Sequence, residues 1–142
     1  MKNDHEFEVI IIGGSYAGLS AALALGRALR WVLVIDDDTA CNRQTPLSHN
    51  FLTHDGEPPK EISAAARQQV EKYETVRFYS GRAVAGNSTS AGFEITTEAG
   101  DHFRAEKLIF ASGIKDLMPP IKGFESAGEY RFYTAPIAMG TR

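Results

Sequence analysis

The sequence predicts an α/β fold: a largely parallel sheet flanked by helices, with an antiparallel β-meander on one side. Three observations predict it. Glu8-Val9-Ile10-Ile11-Ile12 and Trp31-Val32-Leu33-Val34-Ile35 are continuous apolar runs, the signature of strands buried on both faces. A glycine turn and a segment of helical character separate them, so strand, turn, helix and strand follow within about thirty residues, a right-handed βαβ unit. Further along, three short segments alternate with turn residues, as in a meander.

Taken in order, the first strand covers Glu8 to Ile12 and stops at glycines. Residues 16–30 read as a helix in which Gly18, Ala21, Ala22 and Leu25 share one face. The other side is also apolar, as suits a helix sandwiched between layers. The second strand is closed by Asp36-Asp37-Asp38. Residues 37–57 are rich in Asn, Thr, Pro, His and Gly, and a connection of that length is usually functional. Pro58-Pro59 opens a helix running to about Tyr73, since proline suits a first helical turn. Val76 to Tyr79 is a short strand. Ala83–Gly86, Phe93–Thr97 and His102–Ala105 form the meander, and Lys107–Ala111 reads as a separate strand returning to the parallel sheet. No repeat, linker or low-complexity stretch interrupts this order.

Composition narrows the function. The 142 residues fit one domain, and 43% are apolar, enough for a core. A net charge of −3 supplies no basic face for nucleic acid or an anionic membrane. The start is polar, and Val9–Ile12 is far too short for a signal or membrane segment, which argues for the cytoplasm. Cys41 is the single cysteine, so neither an intrachain disulfide nor a Cys-rich metal site is expected. Without a resolving partner it reads as structural. The histidines lack H-x-x-x-H spacing, so no metal site is expected either.

The chemistry concentrates in Gly13-Gly14-Ser15-Tyr16-Ala17-Gly18. A dinucleotide site needs a tight turn, close approach of backbone to pyrophosphate, and close contact of helix with sheet. Gly13 suits the turn and Gly18 the contact. Ser15 stands where glycine is usual; it is small, and its hydroxyl can donate to a phosphate. The helix amino terminus adds aligned N–H groups and its dipole. Asp36 ends the second strand, where an acid accepts hydrogen bonds from a ribose. The bland alternative is a plain βαβ turn with a solvated acid. Asp37 and Asp38 read as solvated neighbours, with Asp37 close enough to join the site.

The stretch Val9 to Ala22 resembles the FAD fingerprint of thioredoxin reductase-like flavoproteins, in a branch that includes dithiol oxidases of gliotoxin-type products. Cys41-Asn42-Arg43-Gln44-Thr45-Pro46, Ser48-His49-Asn50-Phe51-Leu52 and Ala111-Ser112-Gly113 carry the resemblance further, over residues 8 to about 124. It implies a partial FAD-binding Rossmann-like parallel sheet with an antiparallel β-meander. It implies FAD contacts from Gly13, Ser15, Tyr16, Ala17 and Gly18, then from Asp36 and Asp37. Gln44-Thr45 and Asn50-Phe51 would run along the flavin, with Arg43 and His49 also counted among the cofactor-binding residues, and Gln44, Thr45 and Asn50 offer the amide and hydroxyl partners an isoalloxazine needs. The same residue types also serve as ordinary loop caps. His49 is either a base near the flavin or a surface residue. Backbone at Ala83 and Val84 would meet the adenine, and Ala111, Ser112 and Gly113 would close the site. No catalytic residue is expected in the chain itself.

In that family the chain continues into a nicotinamide domain with a Cys-x-x-Cys pair and a Gly-Asp segment. The complete enzyme would move electrons between NAD(P)H, FAD and a small-molecule or protein disulfide. Alternatives are a dithiol oxidase using FAD and oxygen, a non-catalytic flavin module, or an inactive fragment. Residues 1–124 read as the amino-terminal part of the FAD-binding domain, expected to form a homodimer, and 125–142 as an aberrant tail. Read one base out of frame from Ser126, that tail can encode C-W-G, then Ile or Val, then S-V-L-H-C-P-Y-C-H-G-Y-E. The expectation is a frameshift product, equivalent to losing one nucleotide near Phe124; the alternative is a naturally short protein with an unrelated tail.

Overall fold

The computed structural model describes residues 5–39 and 45–114. The element order is β1 (Glu6–Ile12), α1 (Tyr16–Arg27), β2 (Val32–Asp36), α2 (Pro59–Val70), β3 (Val76–Ser80), β4 (Ala83–Thr89), β5 (Gly92–Thr97) and β6 (His102–Phe110). The strands form one six-stranded sheet in the order β3-β2-β1-β6-β5-β4. β3, β2, β1 and β6 pair in parallel, whereas β4, β5 and β6 pair antiparallel. This is the predicted α/β architecture, a Rossmann-like parallel sheet joined to a meander.

The apolar runs are continuous because both faces of the parallel strands are covered. Val9, Ile11, Val32 and Val34 pack with Leu19 and Ala22 of α1 and Val70 of α2. The alternate residues Ile10, Leu33 and Ile35 pack instead with Ile95, Phe103 and Ala105 from the meander side. Each large aliphatic side chain so buried contributes roughly 1.5–3 kcal/mol, and loss of either layer would expose half of every strand.

Two expectations need the most correcting; in addition, α2 ends at Val70 rather than near Tyr73, and β4 runs past Gly86 to Thr89. The meander's last segment and the return strand are one strand, β6. Its residues Arg104–Phe110 pair with β1, while His102–Ala105 also pair with β5. Glu106 and Lys107 look like a break between two apolar segments, but they are exposed residues within the strand, ion-paired at 3.7 Å. Beyond Ala105, no described strand pairs with the other edge of β6.

The first helix also stops earlier than expected, at Arg27. Leu29 takes φ +56°, its N–H donates to Gly26 O (3.0 Å), and Arg30 N–H donates to Leu25 O (3.0 Å). These two bonds make a Schellman ending with leucine in the left-handed position where glycine is usual, so the sequence carries no glycine to announce it.

Candidate functional site

At the end of β1 the chain turns through Gly13, whose φ is +105°. A Cβ there would stand 2.3 Å from the Ala111 carbonyl oxygen. Gly13 N–H donates to Ile35 O and Ala111 N–H to Ile12 O, each at 2.8 Å, tying together the ends of β2, β1 and β6. Gly18 draws α1 onto the same turn: a Cβ on it would lie 1.8 Å from the Gly13 carbonyl oxygen. Backbone thus meets backbone at both positions, and only glycine fits.

Ser15 is the N-cap of α1, with extended backbone and no side-chain capping bond, and no acid stands in the helix's first turn. The helix amino terminus therefore presents N–H groups, a hydroxyl and the positive end of the dipole, a combination suited to an anion. Across the turn, Asp36 accepts the Gly14 N–H on Oδ1 at 3.0 Å. Gly14 has room only because it lacks a Cβ, which would come within 2.8 Å of the Asp36 side chain. The Gly81 N–H donates to Asp36 O at 2.8 Å and joins the end of β3 to the end of β2.

These contacts enclose a cavity of about 320 Å³ at the carboxyl ends of the parallel strands, where open α/β sheets bind ligands. It gathers Gly13, Ser15, Asp36, Asp37, Ala83, Ala111, Ser112 and Gly113 of the predicted residues. Asp37 is exposed and accepts the Thr39 N–H (3.2 Å) and hydroxyl (2.5 Å).

Other predicted residues stand elsewhere. Tyr16 begins α1, but its hydroxyl donates to Pro59 O (3.2 Å) and its ring meets Phe51 edge-on at 6.0 Å. Ala17 is exposed on the same turn. Val84 is 54% exposed and does not line the cavity. Neither do Thr45, His49 and Asn50, which sit exposed in the loop before α2. In that loop Asp55 accepts the Asn50 N–H (2.7 Å), with His49 Nδ1 3.7 Å from the same oxygen, and Asn50 takes φ +58°. Arg43, Gln44 and Cys41 lie outside the described residues.

The cavity also recruits residues the sequence did not single out: Gly14, Thr39, Gly81, Arg82 and Ile114. The double glycine before an acid-terminated strand was a usable signal for Gly14. Gly81 and Arg82 had none, because the register of β2 against β3 brings them in, with Asp36 opposite Ser80.

These groups fit the adenosine diphosphate half of a dinucleotide: a helix amino terminus and hydroxyl to donate to phosphate, a carboxylate to accept from ribose, and glycines where a Cβ would fill the cradle. Sequence comparison decides the family. The profile described as pyridine nucleotide-disulphide oxidoreductase matches residues 7–136. The chain belongs to this family. Within the pyridine nucleotide-disulphide oxidoreductases it is thioredoxin reductase-like. It is 37% identical over 127 residues to thioredoxin reductase tcpT of Claviceps purpurea, covering 87% of this chain and 40% of that one. It is 36% identical to thioredoxin reductase sirT of Leptosphaeria maculans, covering 89% and 40%. Its fold superposes on the crystal structure of an oxidoreductase from Agrobacterium tumefaciens with a TM-score of 0.81 at 44% identity, over 85% of this chain and 41% of that one. The chain thus spans about two fifths of the length of these family members.

Proposed function

We propose that this chain binds FAD, with the adenosine diphosphate half in the cavity at the ends of β1, β2 and β6, as the FAD-binding part of a thioredoxin reductase-type enzyme. The observation that carries the reading is the convergence on one cavity of the glycine turn, the uncapped amino terminus of α1 and the Asp36 carboxylate. When bound, FAD supplies a two-electron carrier between NAD(P)H and a disulfide. This chain's part is to hold the pyrophosphate on α1, hold the ribose on Asp36, and bring the loop of residues 45–57 toward the flavin. Two relatives named thioredoxin reductase support the reductase reading; oxygen-dependent turnover without NAD(P)H would favour a dithiol oxidase.

Titration of the full chain with FAD, followed by the flavin absorbance band, tests the reading. Saturable one-to-one binding is expected, and no binding at millimolar FAD would overturn it. With Cys41 as its single cysteine, the chain holds no intramolecular dithiol, so NAD(P)H-dependent disulfide reduction by the chain alone should be absent. We also propose a cytoplasmic homodimer. The edge of β6 beyond Ala105, unpaired among the described residues, and the exposure of Phe110 (74%) and Ile114 (80%) support self-association; a monomer mass by light scattering would reject it. The tail remains proposed as a frameshift, decided by whether the coding DNA spells the second frame.

A further inference from the structure

We infer that Arg82 is a specificity residue of the cavity, whose guanidinium plane covers the adenine ring of the bound nucleotide. The inference rests on the nucleotide reading above. Among the described residues, Arg82 is the only cationic side chain lining the cavity, and none of them brings an aromatic side chain to it. Its guanidinium offers a cationic plane to a heteroaromatic base, and arginine stacks on such rings in a way lysine cannot.

Position supports the assignment. Phosphate belongs at the amino terminus of α1 and ribose at Asp36, so the base extends beyond Asp36, away from the helix. Gly81, Arg82 and Ala83 form that far wall. Their backbone is fixed from two sides: Gly81 N–H donates to Asp36 O, and Arg82 O accepts the Glu98 N–H, both at 2.8 Å. The side chain itself is exposed and makes no ion pair among the described residues. A pinned backbone carrying an uncommitted planar cation at the rim suits a residue whose partner is the ligand. The neighbouring charges, Asp36 and Asp37, are acidic. They disfavour a second phosphate at this end, so the base rather than a phosphate is its partner.

The test is a titration series on the full chain and its Arg82→Ala, Arg82→Lys and Arg82→Phe variants, with FAD, ADP and FMN. Arg82→Ala and Arg82→Lys should each weaken FAD and ADP about fivefold. Arg82→Phe, which keeps a stacking plane without charge, should stay within about twofold of the parent chain. None should change binding of FMN, which has no adenine. Affinity kept by lysine and lost by phenylalanine would overturn the inference in favour of charge pairing, and four equal affinities would overturn it outright. If the parent chain binds ADP but not FAD, the flavin reading fails while the ADP series still decides Arg82. If it binds neither, both fail.

Discussion

The glycine turn and the loop of residues 45–57 both carry residues placed by sequence at the cofactor, and they are built by opposite means. In the turn, position is enforced by contact between backbone atoms: a Cβ on Gly13 or Gly18 would overlap a carbonyl oxygen. In the loop, position rests on surface hydrogen bonds and ion pairs, such as His54 Nδ1 to Glu57 Oε2 at 2.9 Å, and Leu52 is 88% exposed. The turn is complete with the protein's own atoms. In the loop, Asp55 accepts the Asn50 N–H, and His49 Nδ1 lies 3.7 Å from the same oxygen. The glycine turn is thus fixed by backbone packing and the loop by surface contacts.

The largest expected effect breaks the turn. Gly18→Val forces a side chain into the Gly13 carbonyl, and should cost roughly 3 kcal/mol or more of stability with loss of FAD binding. A urea midpoint and flavin content matching the parent chain would show that the turn is not packed as described. Asp36→Ala comes next. It removes the ribose acceptor and leaves Gly14 N–H without its partner, so FAD and ADP should weaken about tenfold; a change within twofold in either titration would return Asp36 to the solvated-acid reading.

The loop should respond differently. Asn50→Gly keeps the left-handed backbone without strain and deletes only the side-chain amide. FAD should weaken about fivefold, the loss of one hydrogen bond, while ADP binding stays unchanged. Equal loss for both ligands would erase the distinction between the regions. The smallest effect belongs to the His54–Glu57 pair. A double-mutant cycle with His54→Ala and Glu57→Gln should give a coupling below about 1 kcal/mol, because both partners are part-exposed. A larger value by denaturant unfolding would mean the loop is as firmly built as the turn.

Legibility in the sequence follows the same division. The parallel strands and the glycine turn were readable because their requirements are local: apolar runs for strands covered on both faces, and glycine where no Cβ fits. The unity of β6 was not. Glu106 and Lys107 resemble a strand boundary, and only the change of partner from β5 to β1 keeps the strand continuous through them. The end of α1 was hidden because Leu29 takes the left-handed conformation without being glycine. In the cavity, Asp36 and Ser15 were visible from spacing. Arg82 and Gly81 arrive through sheet register, which joins positions over forty residues apart, as with Asp36 and Ser80.

The shared strand sets an order of assembly. β4, β5 and the first half of β6 are successive hairpin partners, so they can form from short loop closures soon after they leave the ribosome. β1, β2 and β3 can likewise gather with α1 and α2 from nearby segments. The two groups meet only through β6, whose residues pair with β1 across nearly the whole described chain, Glu6 with Arg104. That closure is the most distant in sequence, so its loop-closure cost predicts that it comes last. In that order, Ile10, Leu33 and Ile35 go uncovered by the meander until the final step. Pulsed hydrogen exchange during refolding should show amides of β4 and β5 protected before those that join β1 to β6; simultaneous protection would mean that the two groups form as one cooperative unit.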